Sequence, residues 1–226
     1  RHLPEEALTS AYTVPSTETT PLRHNLRQGL RLLRRAGWTM QDGQLVHKQT
    51  GKSFQFTILL RSPSFERVVL PFKRNLAKLG ITMEIRRVDA SQYVNRLRSF
   101  DFDMLIATLP QSNSPGNEQR YFWTSEAGST PGTYNYMGVD NPAIDALVEQ
   151  VVTAPDRESL ITRCRALDRA LLWGHYVIPQ WHLGALRIAR WDIFGRPEKM
   201  PRYGLDFFTW WVDPDKAAAV RAFQGR

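Results

Sequence analysis

The chain has 226 residues, of which 42% are hydrophobic and 23% are charged, so it can form one large domain or two small ones. Its longest apolar runs are far shorter than the roughly 20 residues that a membrane-spanning helix needs. The net charge of +8 is compatible with nucleic acid or an anionic surface as a partner. The basic residues are nevertheless spread along the chain without a block of five like charges, which favours a generally basic soluble protein.

The single cysteine, Cys164, excludes an internal disulfide and a metal site built from several cysteines. It lies on the apolar side of a predicted helix, which indicates a small core residue rather than a reactive thiol. The chain opens at Arg1 without an initiator methionine or a signal-peptide pattern, so we expect a mature or truncated segment.

The beginning of the chain predicts a linker, a helix and a hairpin. Residues 1–24 are rich in proline, serine and threonine, and we expect an extended linker or edge segment there. Leucines recur on one stripe from Asn25 to Ala36, which predicts a helix that Gly37 ends. A hairpin turn is predicted at Asp42-Gly43.

The middle of the chain alternates strands with helices. The predicted segments are strand 54–60, helix 63–79, strand 81–88, helix 90–99 and strand 103–109. Pro71 falls inside the first of these helices and should kink or divide it. Parallel strands joined by helical crossovers are the economical arrangement, so we expect the α/β class, with a mixed, mainly parallel sheet and flanking helices.

The last third of the chain predicts helices and two short strands. The segments are a helix from Asn141-Pro142, a helix from Asp156, strands 176–182 and 186–191, and a short helix after Asp213-Pro214. His175 and His182 flank the first of these strands and lie seven residues apart, so they face opposite sides of a regular strand. A shared metal site is therefore disfavoured.

The most distinctive stretch runs from Phe100 to Tyr136. Its apolar run ends at Pro110, since proline cannot donate to a sheet ladder, and amides, hydroxyls and aromatic rings follow. Ligands of α/β proteins bind beyond the carboxyl ends of strands, so this loop is a candidate binding site, the alternative being a solvated surface loop. The candidate ligand-binding residues are Gln111, Ser112, Asn113, Ser114, Asn117, Glu118, Arg120, Tyr121, Trp123, Asn135 and Tyr136.

The chemistry of this loop suits reversible recognition of a peptide-like ligand. Each amide side chain offers a donor and an acceptor, and the aromatic rings offer apolar walls with polar edges. Arg120 can pair a carboxylate at two points. The competing interpretation is structural, with Trp123 in the core and Arg120 holding a neighbouring acidic side chain.

Sequence signatures of common enzymes are absent. The chain contains no GxxxxGK[ST] loop, no GxGxxG after a strand, no HExxH and no GxSxG. We expect a binding protein without catalysis, cofactor, metal or nucleic acid. A basic nucleic-acid-binding domain is the first alternative, and a hydrolase that uses Glu118, a carboxylate of the polar loop, is the second.

Several short motifs follow one another in a distinctive order. They are Leu-Leu-Arg-Arg-Ala-Gly-Trp at 32–38, Asp42-Gly43, the strand 54–60, Leu79-Gly80-Ile81, Val88-Asp89, Gln92-Tyr93, Phe100-Asp-Phe-Asp103, and the run from Gln111 to Gln119. Further support comes from Arg165–Arg169, Trp173–Tyr176, Pro179–His182 and Trp210–Asp213. Over essentially the whole chain, this set resembles the carboxy-terminal half of family 5 extracellular solute-binding proteins, the peptide receptors of ABC importers. The similarity is greater to the Yej-type receptors of oligopeptide and microcin C uptake.

The resemblance implies one lobe of a type II periplasmic binding protein that closes on an oligopeptide or a peptide-like compound. Its implied partners are ABC-importer permease subunits and an amino-terminal lobe outside this chain, and its implied location is the periplasm, with a signal peptide upstream. Residues 1–24 would lead from that lobe, 25–195 would form the ligand-binding lobe, and 196–226 would return. Aromatic surface near 203–211 should then be exposed.

The resemblance also implies how a peptide terminus is bound, and this chain departs from that pattern. In the oligopeptide-binding branch, an acidic residue in the loop after the strand 103–109 pairs with the α-amino group of the peptide. Leu109 to Asn113 contains no acid. Either Glu118 takes the role or the amino terminus is recognised differently.

Overall fold

A computed structural model describes residues 2–185, 187–199 and 205–225. The chain divides into two compact units, one up to Ile178 and one from Pro179 onward. The lobe boundary expected at residue 195 stays a prediction. Within the described ranges, every helix is too short or too polar to cross a lipid bilayer.

The first unit contains most of the regular structure. In chain order its elements are α1 (Glu6–Thr9), α2 (Leu22–Arg35), β1 (Trp38–Gln41), β2 (Gln44–His47), β3 (Gln55–Leu60), α3 (Glu66–Ala77), β4 (Thr82–Arg87), α4 (Ala90–Arg98), β5 (Met104–Leu105), α5 (Glu118–Trp123), α6 (Ser125–Ser129), α7 (Pro142–Val152) and α8 (Arg157–Trp173). The second unit contains β6 (Phe194–Gly195), β7 (Trp211–Val212) and α9 (Pro214–Gln224).

A three-stranded parallel sheet lies at the centre of the first unit. Its order is β4-β3-β5, and Ile58 of β3 lies opposite Ile85 of β4 and Met104 of β5. The predicted β-α-β-α-β arrangement is therefore confirmed, with α3 and α4 as the crossovers. Ile58, Leu60 and Met83 are buried against α3 and form the core of this layer.

The third strand is much shorter than the predicted strand 103–109. Only Met104 and Leu105 pair with β3, and the chain from Ile106 to Pro110 carries no regular structure. The carbonyl oxygen of Ile106 instead accepts a hydrogen bond from the hydroxyl of Tyr93, at 3.4 Å. At the end of the β3–β5 ladder, the hydroxyl of Tyr93 thus takes the place of a backbone N–H from a neighbouring strand.

The helix starts follow the predicted caps closely. Asp89 accepts a hydrogen bond from Gln92 N at the start of α4, and Asp156 accepts one from Ser159 N at the start of α8. Helix α2 begins at Leu22 rather than Asn25, because the carbonyl of Pro21 already accepts from the first turn.

Helix α3 continues through Pro71, which was predicted to kink or divide it. The proline lies in the middle of the helix and its ring is exposed, so the helix loses the single hydrogen bond that a backbone N–H at this position would donate to the carbonyl of Arg67. A short 3₁₀ turn, Pro63–Phe65, precedes the helix, and Ser62 caps it.

A second core packs α5, α7 and α8 together, and two of the helices at this end of the unit, α5 and α6, were not predicted. Phe122 and Trp123 of α5 are buried against Ile144 and Val148 of α7 and Leu167 of α8. The polar loop beyond residue 110 therefore contains regular structure, since the tertiary core stabilises helices too short to be stable alone.

The second unit is small and its aromatic residues are prominent. Gly195 of β6 pairs with Trp211 of β7, where a Cβ on the glycine would lie 2.3 Å from the indole nitrogen. The Arg190 guanidinium lies 5.1 Å from the centre of the Trp210 ring. Phe207, Phe208 and Trp211 are exposed, as expected for the surface near 203–211, whose residues 203 and 204 lie outside the described ranges.

The two predicted strands 176–182 and 186–191 are absent from the described residues of those segments. Ile178 and Trp181 are exposed there and meet no neighbouring strand. Leu186, which the second prediction includes, lies outside the described residues. An apolar alternation predicts a strand only where a second strand is available to pair with it.

Candidate functional site

A cleft of about 560 Å³ opens at the carboxyl ends of β3 and β5. This is the edge of a parallel sheet at which α/β proteins bind their ligands. The residues that line it are Leu59, Leu60, Arg61, Ser62, Phe65, Tyr93, Leu97, Leu105, Ile106, Ala107, Thr108, Pro110, Phe122, Tyr134 and Tyr136. The cleft lies where the strand 103–109 was expected to deliver the binding loop.

Tyrosine rings form one wall of the cleft. The Tyr134 ring lies 5.7 Å from Phe122 and 6.0 Å from Tyr136, measured between ring centres. Burial raises the pKa of Tyr136, with smaller contributions from Tyr134 and Tyr93. Burial also raises the pKa of Tyr93, against the opposing effect of Arg61. These phenols therefore stay protonated at neutral pH and can donate hydrogen bonds to a ligand.

Arg61 brings the positive charge of the cleft. It follows β3 directly, and it is the only charged residue among the described residues that line the cleft. Its side chain is exposed, and within the described part of the chain no carboxylate lies within ion-pair distance of it. Arg61 was not among the predicted site residues, although its position at the end of a buried strand was a signal that it reaches this edge.

The first part of the predicted loop leaves the cleft as exposed chain. Gln111 Oε1 accepts a hydrogen bond from the side-chain amide of Gln119, at 2.7 Å. Ser112 Oγ accepts one from the backbone of Ser114, at 3.1 Å, and the carbonyl of Asn113 accepts one from Arg157. The side chains of residues 111–114 are exposed at the rim rather than on the cleft lining.

Glu118 is held within its own turn of the chain. Its carboxylate accepts hydrogen bonds from Gly116 N at 2.9 Å and from the Gln119 side chain at 3.2 Å. Burial raises the pKa of Glu118, but these hydrogen bonds and one from its own backbone outweigh that effect and hold the pKa below the usual value. The group is ionised at neutral pH and is already hydrogen-bonded by its neighbours.

Arg120 is paired with an acidic residue of the neighbouring helix. Its Nε and Nη2 atoms lie 2.6 Å from the two carboxylate oxygens of Glu149, and its Nη1 donates to Asn117 Oδ1 at 2.5 Å. The hydrogen bond to Glu149 raises the pKa of Arg120. The guanidinium therefore joins α5 to α7, as the structural alternative expected, instead of projecting freely. Tyr121, next in α5, has an exposed ring outside the cleft lining.

Trp123 and Asn135 lie in the interior. Trp123 is 6% exposed, and its indole N–H donates to Gln119 Oε1 at 3.1 Å. Asn135 is completely buried: its Nδ2 donates to the carbonyls of Thr124 and Val139, and its Oδ1 accepts from Val139 N, all at 2.9 Å. The structure places neither side chain at the cleft, so of the predicted residues only Tyr136 lines it.

Acidic side chains near the sheet have structural partners. Asp103 Oδ2 accepts a hydrogen bond from Thr57 N at 2.8 Å and joins the start of β5 to β3, and Asp101 pairs with Arg96. Across the described ranges, no group of three or more histidine, cysteine or carboxylate side chains is arranged to hold a metal ion.

Comparison with known proteins identifies similar chains. The sequence model of the family described as bacterial extracellular solute-binding proteins, family 5 Middle, matches residues 4–131 of this chain. Over 92% of the chain, identity is 46% to the uncharacterized protein y4wM of Sinorhizobium fredii, 44% to the probable peptide-binding protein YejA of Agrobacterium fabrum, and 39% to the peptidoglycan-binding protein YepA of the same organism. The chain spans about a third of the length of these curated relatives.

Solved structures share the fold. A periplasmic oligopeptide-binding protein of an oligopeptide ABC transporter from Thermotoga maritima superposes with a TM-score of 0.67 at 19% identity. The match covers 86% of this chain and 36% of that protein. At this identity the similarity establishes the fold alone.

Proposed function

Since the chain belongs to the bacterial extracellular solute-binding proteins of family 5, we propose that it supplies the carboxy-terminal lobe of a receptor that captures peptides for an ABC importer. The observation that carries the proposal is the cleft at the carboxyl ends of β3 and β5. It combines aromatic walls with the guanidinium of Arg61, which has no ion-pair partner among the described residues. Such a lining can bind a flexible polar ligand reversibly.

The early end of β5 leaves backbone available to an extended ligand. Ala107 and Thr108 line the cleft and are exposed, and among the described residues the backbone groups from Ala107 to Leu109 have no hydrogen-bond partner. An extended peptide can satisfy such groups by adding itself as a strand, because its own amides repeat at the same spacing. Recognition through the backbone supports a peptide ligand and tolerates varied side chains.

The charge of the lining supports a ligand that carries a carboxylate. Arg61 offers paired donors to an anionic group, and the described lining contains no carboxylate for an amino group. Glu118, the acid considered for the peptide amino terminus, is bound to Gly116 and Gln119. We therefore assign recognition of the ligand carboxylate to this lobe and recognition of the amino group to the remainder of the receptor.

The names of the relatives support the same ligand class. One relative is called a probable peptide-binding protein and another a peptidoglycan-binding protein. Both kinds of ligand contain amides and carboxylates, which are the groups that the cleft can pair. We propose oligopeptides or peptide-like compounds as ligands, without chemical turnover by the receptor.

The proposed setting is the periplasm, where the receptor would present its ligand to the permease subunits of the importer. Residues 1–24 and 196–226 would connect this lobe to an amino-terminal lobe. Closure of two lobes supplies affinity that one lobe lacks, so the 226-residue chain alone should bind peptides weakly.

A thermal-shift screen of the full-length protein against di- to decapeptides tests this proposal. We expect a subset of peptides to raise the melting temperature, by an amount that grows with peptide concentration. The same peptides should hardly change the melting temperature of the 226-residue chain. Stabilisation by DNA that disappears at high salt, or peptide turnover lost on Glu118→Ala, would favour the alternative functions instead.

A further inference from the structure

Helix α2 gathers five arginines that look scattered in the sequence. Successive residues of an α-helix turn by about 100°, which brings Arg23, Arg27, Arg31, Arg34 and Arg35 within an arc of about 120°. We call these five residues the arginine face. The leucines at positions 26, 30 and 33 lie on the other side and are partly buried. The arginine face extends for about 18 Å along the helix.

The arginine face has no internal counter-charge. All five side chains are exposed, and helix α2 contains no aspartate or glutamate. In the described part of the chain, none of the five lies within ion-pair distance of a carboxylate. Elsewhere in this unit, by contrast, Arg87 pairs with Glu66 and Arg96 with Asp101.

Like charges one helical turn apart repel each other, so the arginine face lowers the stability of α2 while it stays unpartnered. A partner with closely spaced negative charges would remove that repulsion. Guanidinium groups bind phosphate at two points, which lysine cannot do. The residue type and the spacing therefore indicate a phosphate-bearing surface.

We propose that the arginine face binds the anionic phospholipid headgroups of a membrane. Phosphates repeat across a bilayer surface, so a straight row of arginines meets them without a fixed register. Leu32 flanks the row and is 54% exposed, which lets an apolar side chain approach the headgroup region. Helix α2 contains no phenylalanine, tyrosine or tryptophan, so the successive bases of a nucleic acid strand would find only the ring of His24 to stack on.

The position of α2 leaves the ligand cleft open. Gly29 of α2 packs beside Leu79, and the hairpin strand β2 bonds to Gly80, immediately before β4 begins. Since β3, β4 and β5 are parallel, α2 lies near the amino-terminal ends of the strands, and the cleft lies at their carboxyl ends. Membrane binding by α2 is independent of peptide binding at the cleft, so failure of the proposed function would leave it unaffected.

The test measures sedimentation of the 226-residue chain with vesicles of phosphatidylcholine alone or with 30% phosphatidylglycerol. We expect binding only to the anionic vesicles, with loss of binding in high salt. The triple variant Arg23→Gln, Arg27→Gln, Arg31→Gln should bind at least tenfold more weakly. The matched control is Arg67→Gln, Arg74→Gln, Arg86→Gln, which removes three exposed arginines of α3 and β4 that have no ion-pair partner in the described part of the chain. It should bind within twofold of the unaltered chain.

A second measurement needs no variant. Phenylglyoxal labels exposed arginines, and anionic vesicles should protect Arg23, Arg27 and Arg31 but not Arg67 or Arg74. The proposal is overturned by equal losses in both triple variants, by absence of binding to anionic vesicles, or by uniform protection. Short duplex DNA that binds more tightly than vesicles of equal phosphate content would also overturn it, in favour of nucleic acid.

Discussion

Arg120 of α5 and Glu149 of α7 form a two-point ion pair, with both nitrogen–oxygen distances at 2.6 Å. The pair explains why an arginine in a polar loop with the composition of a ligand-binding site points to a neighbouring helix. It also lowers the pKa of Glu149, chiefly through the hydrogen bond from Arg120.

Replacing Arg120 by glutamine should return the pKa of Glu149 towards its ordinary value. A depressed carboxyl pKa stabilises the fold at pH values above the unfolded pKa, and this stabilisation disappears as the pH falls through the folded pKa. The variant should therefore lose stability near neutral pH and differ less from the unaltered chain in acid. An NMR titration of the Glu149 side-chain carbonyl measures the pKa. In the full-length protein, ligand affinity should change less than twofold, and a larger loss would assign Arg120 to the ligand site.

Replacing Asn135 by alanine should destabilise the chain by about 2 kcal/mol, because it leaves the buried N–H and carbonyl of Val139 without their partner. The Thr124 carbonyl would lose one of its two donors and keep the hydrogen bond from Gly128 N. Urea denaturation followed by circular dichroism measures the loss. Asn113→Ala is the control, since that side chain is exposed at the rim, and it should stay within about 0.5 kcal/mol. Equal losses in the two variants would contradict the structural role of Asn135.

Replacing Gly80 by alanine should be more harmful than the same change at Gly43. Both glycines have positive φ angles, of 75° and 80°. A Cβ at Gly80 would lie 2.7 Å from Leu45 N and from Met40 Sδ, whereas a Cβ at Gly43 meets nothing within 4 Å. Backbone strain is common to both variants, so their difference in unfolding free energy isolates the clash. We expect a difference of about 1–3 kcal/mol.

Replacing Arg61 by glutamine should weaken binding of carboxylate-bearing peptides to the full-length protein by about tenfold or more. Hydrogen bonds to charged groups contribute roughly 1.5–3 kcal/mol, and 1.4 kcal/mol corresponds to a factor of ten. Calorimetry with peptides and their amidated counterparts measures the effect, which should be confined to the carboxylates. Arg67→Gln, just beyond the cleft lining, is the control. Equal losses for both kinds of peptide would contradict the role of Arg61.

Much of the fold could be predicted because its signals are local. Aspartate and asparagine caps, such as Asp89 and Asn141, mark helix starts, and buried apolar runs mark β3 and β4. The helix containing Phe122 was missed, because its stability comes from packing against α7 and α8 rather than from its own periodicity. The length of β5 was overestimated, since pairing depends on a neighbouring strand that an apolar run does not reveal.

The candidate site was harder to predict than the fold. Residue types in the loop indicated polar recognition, but they do not reveal whether a donor meets a ligand or another part of the same chain. The side chain of Asn135 hydrogen-bonds to the backbone of Val139, and Arg120 forms an ion pair with Glu149. Tyr136, in contrast, lines the cleft. Arg61 was overlooked because it lies outside the loop, at the end of β3. Folding brings the end of this strand next to the loop, and the sequence alone does not show that proximity.

The most direct test of peptide binding at this cleft is hydrogen–deuterium exchange of the full-length protein, with and without a peptide that stabilises it. We expect slower exchange from Leu59 to Ser62 and from Ile106 to Leu109, where the backbone borders the cleft. Exchange in α2, at the opposite edge of the sheet, should remain unchanged. Peptide binding that protects other segments while leaving both of these unaffected would contradict binding at the cleft.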